Sequence, residues 1–220
     1  MATRINEATL PANDGVIYHL SIAPQDLANN IIVVGDPERV PKIANLVFDK
    51  KQEIFRRDHR GLCVMTGTTE DGLRLSVVTH GMGSGSTEIV INEIFALKSI
   101  DVKNRVSLKE VTEPVNIIRI GTSGALQKST ELGTIVITKA SIGLDNAGLY
   151  YDIPVQNEKV LELEKIVTEV INNNISENSR FKGKIHPYCS YPDERMTNAI
   201  LKASEKNGIP HKLGVFCNNH

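Results

Sequence analysis

The stretch Val115-Asn116-Ile117-Ile118-Arg119-Ile120-Gly121-Thr122-Ser123-Gly124 decides the reading of this chain. A β-branched run bounded by Gly and Ser reads as a buried strand that empties into a tight loop. Arg119 interrupts the run where an apolar side chain would pack better. An isolated charge in a sheet is costly unless paired, so Arg119 is expected to meet an anion or a carboxylate near the loop mouth. Gly121 and Gly124 free the backbone to turn its N–H groups toward that point, and Thr122 and Ser123 add hydroxyls. The loop has the makings of a seat for a small anion.

Upstream, the apolar run 31–34 leads into Gly35-Asp36-Pro37-Glu38-Arg39, and Val40, Ile43, Ala44 and Val47 then follow at helical spacing. Asp36 as N-cap with Pro37 at the first helical position predicts a helix start. A strand–Gly–helix junction offers free N–H groups at a positive helix end, with Arg39 in the first turn. Taken alone, the junction fits a mere cap and a solvated arginine equally well.

Segments 62–66 and 73–78 flank Thr69-Glu70-Asp71-Gly72 and predict a hairpin. Arg56-Arg57-Asp58-His59-Arg60 just before it has the composition of a solvated surface turn. After it comes Thr79-His80-Gly81-Met82-Gly83-Ser84-Gly85-Ser86-Thr87, a Gly-rich turn that opens a helix carrying Ile89, Val90, Phe95 and Leu97. Gly81, Gly83 and Asp101 partly match a dinucleotide-binding fingerprint, but Ser86 stands at its third glycine and the match is weak. A Walker A lysine motif is absent.

The rest of the chain alternates. Segment 101–114 reads as a charged connector, 134–138 as a strand, and 141–154 as a long loop able to cover a site. Helices are predicted over 158–171, ended by Asn172-Asn173-Asn174, and over 193–207, with a last strand over 213–217. Alternating strands and helices with one hairpin indicate an α/β fold with a mixed sheet. Near the N-terminus, Asn13-Asp14-Gly15 marks a turn before Val16-Ile17-Tyr18-His19-Leu20, in which a lone histidine is ordinarily a packed or surface residue.

Composition sets the bounds. With 220 residues, 40% hydrophobic and 23% charged, the chain buries a full core, and no compositional shift suggests a second domain. A formal charge of -1 offers no generally basic surface for nucleic acid. Three scattered cysteines without a CxxC pair fit a reducing, cytoplasmic setting and speak against a disulfide framework or a zinc site. Residues 1–15 lack the apolar run of a signal peptide, and no segment is long and apolar enough to span a bilayer.

Three motifs together, Gly35-Asp36-Pro37-Glu38-Arg39, His80-Gly81-Met82-Gly83 and Arg119-Ile120-Gly121-Thr122-Ser123-Gly124, resemble in order and spacing the nucleoside phosphorylase family, in particular its uridine phosphorylase branch. The resemblance runs from about His19 onward. It implies a three-layer α/β/α fold with a central mixed sheet, assembled as homodimers or hexamers of dimers. It also implies phosphorolysis of a nucleoside to the free base and ribose 1-phosphate, with inorganic phosphate as co-substrate and no cofactor or metal.

By this resemblance Gly35, Arg39, Arg119, Gly121 and Thr122 hold the phosphate, and Arg60 is the arginine that a neighbouring subunit adds. His19 reaches across to the ribose 5'-hydroxyl, while Met82 and Thr122 line the ribose. Arg119 and Thr122 would be the catalytic pair. Ser86 falls where some members bind a monovalent cation, but Gly61 stands where those members place a glutamate.

Family members continue beyond Leu213-Gly214-Val215-Phe216-Cys217 into segments that recognise the base and the ribose hydroxyls. The expectation is therefore one phosphorylase-like domain over 1–220 whose C-terminal part is missing. A purine-specific phosphorylase and an inactive phosphate-binding or subunit-pairing remnant are the alternatives. A nucleosidase is disfavoured by the three arginines, since water needs no dianion cradle.

Overall fold

A computed structural model describes residues 4–108 and 113–218. The chain divides into two compact units, Met1–Ser123 and Gly124–His220.

The first unit opens with a two-residue hairpin, β1 (Ala12–Asn13) and β2 (Val16–Ile17), turned through Asp14 and Gly15 at φ 48° and 81°. Strand β3 (Asn30–Val34) leads to helix α1 (Arg39–Val47). Then come β4 (Phe55–His59), β5 (Leu62–Thr68), β6 (Arg74–Thr79) and the long helix α2 (Ser84–Ser99). A small hairpin, β7 (Ile100–Asp101) with β8 (Val106–Ser107), precedes β9 (Asn116–Ile120).

Five of these strands form one sheet in the order β4-β5-β6-β3-β9. The β4/β5 and β5/β6 pairs are antiparallel, while β6, β3 and β9 run parallel, so the sheet is mixed. Period-2 alternation sorts the side chains onto two faces. Ile31, Val33, Val64 and Val78 pack with Val90, Ile94 and Leu97 of α2, and Val34, Cys63, Met65 and Val77 pack with Val40, Ala44 and Phe48 around α1. Helix, sheet and helix thus make three layers in this unit.

In the second unit β10 (Ile135–Gly143) lies between β11 (Tyr188–Ser190), antiparallel, and β12 (His211–Asn218), parallel. Helices α3 (Glu158–Asn174) and α4 (Glu194–Lys206) begin at Asn157 and Asp193, whose side chains accept from Val160 N and Met196 N. Glu164 of α3 accepts from the Cys189 backbone N–H at 2.9 Å and ties that helix to β11.

Several local expectations are corrected. Helix α1 starts at Arg39, two residues later than Pro37, because Asp36 Oδ1 accepts from Glu38 N at 2.9 Å and holds residues 36–38 in a turn first. The arginine-rich segment before the hairpin is strand β4, and the turn is confined to Arg60 and Gly61, both left-handed at φ 52° and 77°. The connector 101–114 contains β8, and part of that segment lies outside the described residues. The supposed loop 141–154 begins as the end of β10 and continues as a 3-10 turn over Ala147–Tyr150. Tyr188 packs so closely there that a Cβ on Gly143 or Gly148 would lie 2.3 or 2.8 Å from its ring, and its hydroxyl donates to Asp145 at 2.7 Å. Helix α3 runs on through the asparagines to Asn174. The central strand β9 ends the five-stranded sheet and is half-buried to exposed, because among the described residues it pairs with β3 on one side only.

Phe48, at the end of α1, lies over Gly67 of β5, where an added Cβ would come within 2.7 Å of the buried ring. Gly67→Ala should therefore destabilise the protein by about 1–3 kcal/mol, the usual penalty for overpacking, in a denaturant titration. Unchanged stability would show that the helix is not seated there as described.

Candidate functional site

Register places the ends of three strands side by side. Val34 is paired with Thr79 on one side and with Ile120 on the other, so Gly35, His80 and Gly121 are the first residues beyond β3, β6 and β9 at one edge of the sheet. Because the strands following β3 are laid on both sides of it, this edge is a topological switch point, the usual location of ligands in open α/β sheets.

His80 is the hub. Its backbone N–H donates to Val34 O at 2.8 Å and its carbonyl accepts from Ser86 Oγ at 2.7 Å. The ring is buried, with Nδ1 3.0 Å from Thr87 Oγ1 and Nε2 accepting from Arg119 Nε at 3.3 Å. A Cβ on Gly35 would lie 3.7 Å from His80 Cε1 and 3.3 Å from Gly81 O, and one on Gly121 would fall 2.6 Å from Arg119 Nη1. The guanidinium is thus folded back over the Gly121 backbone, an approach that a side chain at 121 would block.

Arg119 is exposed at the end of β9, and its Nε–H donates to the His80 ring. Burial, and then the charge of Arg119, push the His80 pKa below its ordinary value of 6.5 and favour the neutral ring. Arg39 stands half-buried as the first residue of α1, four positions past Gly35, with its N–H bonded to Asp36 O. Thr122 and Met82 are exposed, and Ser86 spends its hydroxyl on His80.

A second group gathers around Tyr18. Arg60 Nη1 donates to Tyr18 Oη at 3.1 Å with its guanidinium 5.3 Å from the ring centroid, and the His19 ring meets the same tyrosine edge-on at 5.0 Å. His59 Nδ1 donates to the His19 carbonyl at 2.9 Å. The buried carboxylate of Glu93 anchors the segment, accepting from His19 N and Leu20 N at 2.8 Å each and facing His19 Nδ1 at 2.7 Å. With Nδ1 turned to Glu93, Nε2 is the ring atom left for another group.

The structure therefore brings Gly35, Arg119 and Gly121 together on His80, and His19 and Arg60 together on Tyr18. Two organising residues were missed in sequence. His80 stood in a quoted motif without a role, and Glu93 is the acid inside the apolar run of α2, a signal open to reading. Among the described residues, no three His, Cys, Asp or Glu side chains gather as a metal-binding set, and no helix is long and apolar enough to cross a membrane.

A model of the phosphorylase superfamily matches residues 30–218, which include Gly35, His80, Arg119 and Gly121, and Arg60 and Glu93 of the second group, but not Tyr18 or His19. The chain belongs to the phosphorylase superfamily. Within that superfamily it is 32% identical over 202 residues to the uridine phosphorylase of Thermococcus kodakarensis, covering 92% of this chain and 54% of that one. It is also 31% identical over 119 residues to the DeoD-type 2 purine nucleoside phosphorylase of Vibrio cholerae, covering 54% and 43%. A solved Trypanosoma brucei nucleoside phosphorylase, described as showing uridine phosphorylase activity, superposes with a TM-score of 0.80 at 29% identity over 95% of this chain and 68% of that one. The chain spans about half the length of the curated relatives it matches.

Glu93→Ala removes the acceptor of two backbone N–H groups and the support of the His19 ring. It should cost at least about 2 kcal/mol in a denaturant titration and release the His19 ring, seen as loss of its distinct imidazole resonance. Wild-type stability with an unmoved resonance would contradict the anchoring role.

Proposed function

We propose that this chain carries the phosphate side of a nucleoside phosphorylase site, with uridine as the nucleoside. The observation that carries the reading is the convergence of Gly35, Arg119 and Gly121 on one sheet edge around His80. Arg39 enters that edge from the first turn of α1, and Thr122 follows Gly121. In this reading a phosphate dianion sits on the Gly35 amide between Arg39, Arg119 and Thr122, beneath the anomeric carbon of the ribose.

Chemistry follows from charge placement. The C1'–N bond breaks with its electron pair leaving on the base, the sugar becomes oxocarbenium-like, and a phosphate oxygen closes on C1' to give ribose 1-phosphate. The dianion offsets the developing positive charge, so positioning and electrostatics carry the rate and no side-chain nucleophile, cofactor or metal is required. Met82 and Thr122 line the ribose. His19 and Arg60, held as a pair on Tyr18, are presented to the site of a second copy in a homodimer or a hexamer of dimers. We assign residues 1–220 to a single phosphorylase-like domain. We place the activity in the cytoplasm, where thiols such as Cys63 and Cys189 stay reduced.

Uridine is preferred over a purine nucleoside because the similarity to a uridine phosphorylase runs over 92% of this chain, against 54% for the purine relative. The test is base release from uridine and inosine with and without phosphate. Phosphate-dependent uracil release is expected. Hypoxanthine release would favour the purine reading, phosphate-independent release a hydrolase, and phosphate binding without turnover a non-catalytic remnant.

Arg119→Ala should lower kcat/KM for phosphate by about 10- to 150-fold, the equivalent of one charge-assisted hydrogen bond of about 1.5–3 kcal/mol, while the exposed position leaves the fold standing. Unchanged phosphate dependence in a folded variant would reject the assignment.

A further inference from the structure

The hydrogens around His80 can be assigned without ambiguity. A guanidinium only donates, so Nε2, which receives Arg119 Nε–H at 3.3 Å, must be the bare nitrogen of the ring. A neutral imidazole then carries its proton on Nδ1, which donates to Thr87 Oγ1 at 3.0 Å. That hydroxyl in turn donates to Gly83 O at 3.0 Å. One ordered chain results, Arg119 to His80 to Thr87 to the Gly83 carbonyl, with every donor facing an acceptor.

Nothing in this chain has room to slip. The His80 backbone is fixed at both ends, by Val34 O and by Ser86 Oγ, and its ring lies against Gly35. Thr87 sits in the first turn of α2, so the chain joins the ends of β6 and β9 to the start of that helix.

We infer that His80 is a positioning residue: as the neutral Nδ1–H tautomer it holds the Arg119 guanidinium over Gly121 and so sets the affinity of this sheet edge for phosphate. The inference deepens the phosphorylase reading and rests on it for the identity of the anion. A protonated ring would turn an N–H against Arg119 Nε–H and place two cations in contact. The groups that face the ring are Arg119 from β9, Thr87 from α2 and Gly35 from the end of β3, and the charged one is Arg119. The sign is fixed accordingly: the tie is complete above the ordinary histidine range and is lost as pH falls through the depressed His80 pKa.

Two measurements on the chain test this. Ring ¹⁵N spectra should show His80 as the Nδ1–H tautomer at neutral pH, and the Arg119 Nε–H resonance should shift together with the His80 ring at a midpoint below 6.5. Titration with inorganic phosphate at fixed neutral pH should show binding weakened about tenfold or more in His80→Phe, or about 1.4 kcal/mol. His80→Gln, whose Oε1 also accepts from Arg119, should stay close to wild type and lose the acid-side change in the Arg119 resonance. An Nε2–H tautomer, an Arg119 resonance indifferent to His80 titration, or wild-type phosphate affinity in His80→Phe would each overturn the inference. A wild-type chain that shows the tautomer and the coupling but binds no phosphate supports the tie and instead rejects the phosphorylase reading.

Discussion

A guanidinium lying flat on a glycine, its Nε–H given to a neutral imidazole, is the contact around which the first unit is arranged. Arg119 adopts that position only because Gly121 has no side chain and His80 offers a bare nitrogen. Both conditions depend on register. The parallel pairing of β6, β3 and β9 brings residues 35, 80 and 121 to the same level, and a slip of one residue would turn each of them to the wrong face. The two apolar clusters on either face of the sheet hold that register, so core packing and site geometry are one problem here.

The same logic applies at Tyr18. A carboxylate buried among the apolar residues of α2 is expensive unless satisfied, and Glu93 is satisfied by the backbone and ring of a segment more than seventy residues away. His19 is thereby fixed at a surface, beside an Arg60 that adopts a left-handed φ of 52° uncommon for a residue with a side chain. His19 and Arg60 are thus both held against Tyr18.

Much of the fold was legible from periodicity. The runs around 31–34, 62–66 and 73–78 became strands whose apolar residues are buried on both faces, the run 115–120 became the less buried edge strand β9, and the capped helices α3 and α4 began at or next to their predicted starts. Strand β4 was hidden because Arg56, Arg57 and Asp58 are polar at every position, and only pairing with β5 makes such a segment extended. The reach of β10 to Gly143 was hidden for a different reason: Tyr188, far along the sequence, occupies the space the glycines leave. For the site, the glycine-bearing loops and Arg119 announced themselves as exceptions to a pattern. His80 did not, and Glu93, though an acid within an apolar run, gave no hint of its partner, because their roles consist of hydrogen bonds to residues 39 and 74 positions distant.

The chain belongs to the phosphorylase superfamily over 30–218, and its strand ends bring Gly35, His80 and Gly121 to one sheet edge; the proposed phosphorolysis rests on these two findings. The most direct measurement is a crystal structure of the chain soaked with phosphate. One tetrahedral anion is expected at the ends of β3 and β9, bonded to the Gly35 amide and to the guanidinium groups of Arg39 and Arg119. Phosphate bound elsewhere, or Arg39 and Arg119 pointing apart with no anion between them in a soaked crystal, would contradict it.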